Sequence, residues 1–157
     1  MNTRAIAVLC ILVAHVPTGL NAQPGTVAFH NLVRAKSLRC LFDHGTAGRW
    51  DSTGVILEPI RYGDSSSVIF VGIDPKTLTA RFPADRGGGT LQVVPTGRSL
   101  TLIEEDSIAG VNITTVFGRY RPGSTTEFLA VHSRHAAGVL GGLPLPVQYH
   151  GVCRAAT

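Results

Sequence analysis

The sequence lacks most of the short motifs from which an activity is usually inferred. None of its three cysteines belongs to a C-x-x-C pair, no serine stands in G-x-S-x-G, and no glycine-rich run is followed by Lys-Ser or Lys-Thr. The first absence removes the common dithiol redox motif. The other two remove the nucleophile elbow of α/β hydrolases and the phosphate-binding loop of nucleotide-binding proteins. The sequence indicates no cofactor, and we predict none.

A strong surplus of one charge is also missing. The 157 residues include 14 lysines and arginines against 10 aspartates and glutamates, which gives a formal net charge of +4. This surplus is small and scattered along the chain, whereas a nucleic-acid surface normally gathers basic residues on one face. We therefore expect no nucleic-acid partner.

The longest apolar run lies at the N-terminus and is short. Residues 5–14 are apolar, follow a basic residue at Arg4 and precede helix breakers and a small residue at Ala22. This layout is typical of a secretory signal peptide, and the run is about half as long as a bilayer span requires. The sequence predicts a periplasmic or secreted protein with no integral membrane span after residues 1–22 are removed.

The remaining chain is long enough for one domain and too short for two. We expect residues 23–36 to be an N-terminal extension, either a short helix that starts near Thr26 or a mobile terminus. Residues 37–157 are expected to form a single β domain.

Two cysteines remain in this part of the chain, Cys40 near its start and Cys153 near its end. A pair of cysteines in a small exported domain is typical of a disulfide. The alternative is a pair of free thiols, which no neighbouring motif supports. We predict a disulfide that ties the two ends of the domain together.

Short stretches of alternating apolar and polar residues recur along the domain. Residues 77–82 place Leu78, Ala80 and Phe82 on one face, and residues 110–117 group Val111, Ile113, Thr115 and Phe117 in the same way. This two-residue period is typical of half-buried strands. Eight candidate strands follow from the pattern, at residues 37–42, 54–60, 67–73, 77–82, 90–94, 99–104, 110–117 and 126–133.

The connections between the candidate strands are too short to hold crossover helices, which favours antiparallel pairing of successive strands. The predicted fold class is all-β, an antiparallel meander of about eight strands that is closed by one disulfide. Strands of this number and length suit an up-and-down β-barrel, with a β-sandwich as the alternative. The tail from residue 136 to residue 145 is rich in glycine and proline and should be a loop that leads residues 146–153 back along the molecule.

The histidines near the end of the last candidate strand are the clearest candidates for chemistry. Side chains alternate along a strand, so His132 and His135 should point to opposite faces and could not share a metal ion. We therefore predict no metal site. A catalytic alternative remains open, in which His132, Ser133, His135 and His150 form the site of a hydrolase or a metal-dependent enzyme.

The C-terminal stretches "TTVF" (residues 114–117), "FLAVHSRH" (128–135) and "PVQYHGVC" (146–153) resemble a set of small exported bacterial proteins of uncharacterised function. Those proteins share an S-R-H strand end and a terminal Q-Y-x-G-x-C. The resemblance implies no known activity. It implies that one recurring feature, either a structural clasp beside the disulfide or a ligand-binding site, contains Ser133, Arg134, His135, Gln148, Tyr149 and Gly151.

These features together predict an exported, non-enzymatic module with a binding or structural role. Its partner would be a small apolar ligand or another protein, and small barrels of this strand count can enclose one such ligand. The apolar run at residues 68–73 would line or pack that interior. The hydrolase or metal-dependent enzyme named above is the alternative function.

Overall fold

The computed structural model describes residues 24–61, 67–106, 110–136 and 144–156, so the predicted signal peptide lies outside the described residues. The described chain contains one α-helix and nine strands. Their bounds are α1 Pro24–Arg34, β1 Ser37–Asp51, β2 Gly54–Arg61, β3 Ser67–Asp74, β4 Thr79–Arg81, β5 Thr90–Pro95, β6 Ser99–Asp106, β7 Gly110–Tyr120, β8 Phe128–Ala136 and β9 Leu145–Ala155. No described helix has the length and apolar character needed to cross a membrane.

All nine strands belong to one sheet in which every pair is antiparallel. From β3 to β9 each strand pairs with the next one along the chain. This arrangement confirms the predicted all-β antiparallel meander. Short connections produce it, because a chain that reverses within a few residues can only place the next strand antiparallel to the last.

Strand β1 joins the beginning of the sheet to its end. Its first part, Ser37–Leu41, pairs with β3, and its last part, His44–Asp51, pairs with β2 on the same edge. Its other edge pairs with β9 from Leu38 to Ala47. The strand order therefore returns to its start, and β2 extends from the ring as a hairpin with β1.

The structure has one more strand than the sequence predicts. Residues 146–153, expected as a tail that a loop leads back, belong to β9, and β1 continues nine residues past the expected end at Phe42. Glycines in both segments, and Pro146 in the second, weaken the strand pattern. These glycines permit the pairing, since a Cβ at Gly45 would lie 2.1 Å from the Gln148 carbonyl oxygen and one at Gly151 would lie 2.0 Å from that of Leu41.

The strand expected at residues 77–82 is shorter than predicted. Only Thr79–Arg81 forms β4, and Ala80 is buried as expected. Leu78 instead ends the preceding turn with a left-handed φ of 59° and remains 45% exposed. The Asp74 carboxylate accepts a hydrogen bond from the Lys76 backbone N–H at 2.9 Å and so stabilises this turn.

The inward-facing side chains form a single hydrophobic core. Every strand except β2 contributes buried side chains, among them Phe70, Leu91 and Leu100. Helix α1 forms where the sequence predicts either a helix or a mobile terminus, and it buries Ala28 and Leu32 completely in the same core. The helix therefore packs with the strands as part of one folded unit.

The predicted disulfide between Cys40 and Cys153 is present and lies in the core. The two cysteines are directly paired across β1 and β9, with Cα atoms 4.0 Å apart, and neither is exposed. The bond therefore joins covalently the same two strands that close the ring by hydrogen bonding.

A buried carboxylate fastens the loop between β7 and β8 to β9. Glu127 is 5% exposed and accepts hydrogen bonds from Arg154 and Arg121. These bonds, the one from Arg154 first, hold the pKa of Glu127 below its usual value. The loop is therefore held to β9 by charge as well as by packing.

Removal of the disulfide should destabilise the fold strongly. The double variant Cys40→Ala/Cys153→Ala removes a cross-link between two residues that are 113 positions apart in the sequence. For a loop of this size the chain-entropy relation gives a loss of about 4.7 kcal/mol in the free energy of unfolding. Urea denaturation of the variant and of the oxidised protein measures this difference. Equal denaturation midpoints would show that the bond contributes nothing.

Substitution of Gly151 should weaken the pairing of β1 with β9. Gly151→Ala places a methyl group against the Leu41 carbonyl oxygen and must displace backbone, which costs about 1–3 kcal/mol or more. Gly97→Ala is the matched control, because a Cβ there meets no atom within 4 Å. Thermal denaturation should show a lower midpoint for Gly151→Ala alone. A similar shift in both variants would contradict the close-approach explanation.

Candidate functional site

Strand β8 is continuous through His132 and His135, the two candidate histidines. His132 points to the interior and is 6% exposed, whereas His135 is exposed on the outer side of the sheet. The prediction that these two side chains face opposite sides is confirmed. In the described part of the chain, no three His, Cys, Asp or Glu side chains are placed to hold one metal ion.

The structure separates the residues of the resemblance motif onto two faces of the sheet. Arg134 and Tyr149 belong to the inner face, since they alternate in phase with buried His132 and Cys153. Ser133, His135 and Gln148 belong to the outer face. Gln148 Nε2 donates a long hydrogen bond to Ser133 Oγ at 3.5 Å. The five side chains therefore do not form one cluster.

The four residues of the catalytic alternative are also divided between the two faces. His132 is inside, whereas Ser133, His135 and His150 belong to the outer face. His150 is paired with Val131, two positions before Ser133 on β8. The four side chains therefore do not converge on one point of the fold.

The interior opens at one end into a polar pocket of about 400 Å³. We call it the inner pocket and define it by Arg86, Glu104, Asn112, His132 and Arg134. Side chains of Val68 and Phe82, which pack against the core, form its apolar wall. A space of this volume is within the range of small-molecule sites.

Three polar side chains cross the inner pocket in one row. Glu104, Asn112 and Arg134 are direct partners across β6, β7 and β8. Asn112 donates a hydrogen bond to Glu104 Oε2 at 2.8 Å and accepts one from Arg134 Nε at 3.3 Å. The amide thus links a carboxylate to a guanidinium and fixes the orientation of both.

His132 lies one row deeper, between polar and aromatic neighbours. Its Nδ1 is 2.8 Å from Thr114 Oγ1, the hydroxyl of its direct partner on β7. The ring of Phe42 lies 5.2 Å away between ring centroids, and that of Tyr149 stacks at 6.3 Å. Burial, and secondarily the positive charge of Arg134, lowers the pKa of His132 from 6.5 to about 4. His132 is therefore neutral at pH 7.

The charges that surround the inner pocket favour a bound anion. Among the described residues that line it, Arg86 and Arg134 outnumber the one carboxylate, Glu104, which is engaged with Asn112. One guanidinium N–H of Arg86 is used in a 2.7 Å hydrogen bond to the Ser67 carbonyl oxygen. Since each arginine carries five N–H donors, both have further donors for a ligand.

The sequence indicates His132 and Arg134 as candidate site residues but does not indicate Glu104 and Asn112, which complete the pocket. Alternation within residues 99–104 places Glu104 on the face of buried Leu100 and Leu102, a signal that could have located it. Asn112 was missed for another reason. The sequence suggests that the apolar set of β7, with Val111 and Phe117, is the half-buried face. The structure instead turns Asn112, Thr114 and Val116 inward and leaves Phe117 39% exposed.

Comparison of the chain with protein-family models, curated protein sequences and solved structures gives no match. The resemblance of the C-terminal motif to small exported bacterial proteins therefore stays a prediction. Information about the function of this protein therefore comes from the geometry of its own residues.

The buried histidine should make the stability of the protein depend on pH. The unfolded state binds a proton on His132 near pH 6.5 but the folded state only near pH 4, so acid favours the unfolded state across this window. We expect the free energy of unfolding to fall by about 2 kcal/mol between pH 7 and pH 5. Urea denaturation at the two pH values measures the change.

His132→Gln should remove most of this dependence, and His135→Gln, an exposed change on the same strand, should retain it. The carboxylates with lowered pKa values, Asp51, Asp74 and Glu127, act only at lower pH and leave the window clear. If the free energy of unfolding of His132→Gln fell between pH 7 and pH 5 by as much as that of the unchanged protein, His132 would not be the origin of the pH dependence.

Proposed function

We propose that this protein is an exported, non-enzymatic binding module that holds a small organic anion in the inner pocket. Export is supported by the signal-like residues 1–22 and by the buried Cys40–Cys153 bond, which suits an oxidising compartment such as the periplasm or the extracellular space.

The row from Glu104 through Asn112 to Arg134 is the observation that carries the proposal. A guanidinium that is already oriented loses less side-chain freedom when it binds a carboxylate. The Arg134 side chain is held by Asn112 in this way, and Arg86 adds a second cation to the same pocket. The arrangement is thus prepared for an acid group before any ligand arrives.

The apolar wall of the inner pocket indicates the chemical character of the part of the ligand that does not contact the arginines. Val68 reaches the inner pocket, whereas Phe70 and Ile73 of the same apolar run are packed in the core. The inward-facing part of the run thus mostly packs the core, and only Val68 faces the pocket. A carboxylate with a small apolar body fits this combination better than the wholly apolar ligand that the sequence suggests.

Nuclear magnetic resonance titration with benzoate, as a small carboxylate probe with an apolar body, tests the proposal. We expect shifts of the backbone amides of Glu104, Asn112 and Arg134. Arg134→Gln should weaken benzoate binding tenfold or more, as the loss of a charge-assisted hydrogen bond implies. The matched control is Arg39→Gln, which removes the same charge from an exposed position on β1.

The proposal fails if benzoate leaves these amides unshifted, or if the Arg134 and Arg39 variants lose affinity equally. Equal losses would indicate a general charge effect and no defined site.

A further inference from the structure

A second concavity lies along β7 and β8 and shares no lining residue with the inner pocket. Side chains of Phe117 on β7 and of Leu129 and Val131 on β8 line a groove of about 850 Å³. We call this the outer groove. Its floor is the apolar face that β7 and β8 turn away from the core, and Phe117 is 39% exposed there.

Helix α1 forms one boundary of the outer groove. Thr26 and Phe29 of the helix line it together with Gly118 of β7. A Cβ at Gly118 would lie 2.6 Å from Phe29 Cβ, so the glycine allows the helix to lie directly against the strand. Gly118 alternates in phase with buried Val116, so the helix contacts the inward face of β7 beside the groove.

Two arginines supply the charge of the outer groove. Arg98 and Arg119 are among its lining residues, and no aspartate or glutamate from the described part of the chain lines it. Neither arginine forms an ion pair with any carboxylate of the described residues. The Gly118 backbone N–H donates a 2.7 Å hydrogen bond to the Arg98 carbonyl oxygen, which holds the turn that carries Arg98 against β7. The groove thus combines an apolar floor with uncompensated positive charge.

We propose that the outer groove binds a single-chain amphiphile with an acyl tail and an anionic head, such as a free fatty-acid carboxylate. The tail would lie on Phe117, Leu129 and Val131, and the head would pair with Arg98 and Arg119. This site shares no lining residue with the inner pocket and does not depend on the function proposed for that pocket.

The strand pairing excludes one common mode of peptide binding here. Strand β7 is hydrogen-bonded to β6 and β8, and β8 is hydrogen-bonded to β7 and β9. An extended peptide therefore finds no strand edge on the floor to which it could add. The volume of the groove is that of a small-molecule site, which favours a single-chain amphiphile.

Isothermal titration calorimetry with decanoate, below its micelle-forming concentration, tests the proposal. We expect saturable binding of decanoate, at least tenfold weaker binding of decyltrimethylammonium, whose head has the opposite charge, and at least a hundredfold weaker binding of acetate, which lacks the tail. The amide shifts of residues 117, 129 and 131 should report the location of the bound decanoate.

Variants separate the outer groove from other cationic surfaces. Arg98→Gln/Arg119→Gln should weaken decanoate binding tenfold or more. The double variant Arg39→Gln/Arg81→Gln removes the same charge from exposed positions on β1 and β4 and should bind decanoate unchanged. Arg134→Gln should leave the decanoate-induced amide shifts of residues 117, 129 and 131 unchanged, so a failure of this site and a failure of the inner pocket can be distinguished.

Several outcomes would overturn the proposal. These are no binding of monomeric decanoate, equal losses in the two double variants, and amide shifts confined to the inner pocket. Binding to anionic phospholipid vesicles without binding of monomeric decanoate would also overturn it, because the groove would then belong to a membrane-contact surface.

Discussion

The pairing of β1 with β9 is the constraint on which the rest of the structure depends. It turns a linear meander into a ring, and the Cys40–Cys153 bond fastens it at a pair of directly opposed residues. The two backbones approach so closely that Gly45 and Gly151 leave no space for a side chain. Without this pairing β1 and β9 would both have open edges, and the buried cysteines would lose their surroundings.

Closure of the ring also gives each strand an inner and an outer face with different roles. On β7 and β8 the inner face changes along the strands from apolar packing at Val116 and Ala130 to the polar row of Asn112 and Arg134. The outer face of the same strands has Phe117, Leu129 and Val131 beside two arginines. Two adjacent strands thus contribute residues to both proposed binding sites.

More of the fold than of the candidate site could be predicted from the sequence. Two-residue alternation and short connections identify most strands, and the cysteine pair identifies the disulfide. Of the residues that define the inner pocket, the sequence indicated only His132 and Arg134. Glu104 and Asn112 become neighbours of Arg134 through the register of three strands, and one residue of slippage would move each to the other face. The pattern of β7 even indicates the wrong face, because its more apolar side is the outer one.

The sequence by itself determined the strand class, the antiparallel order and the covalent link, since each follows from local periodicity, connection length or the number of cysteines. Only the tertiary structure decided the ninth strand, the inward face of β7 and the low pKa of His132. These depend on which segments lie against each other. Close backbone contact makes a strand from a segment with proline and glycine, and burial among Phe42, Thr114 and Tyr149 gives the histidine its neutral form.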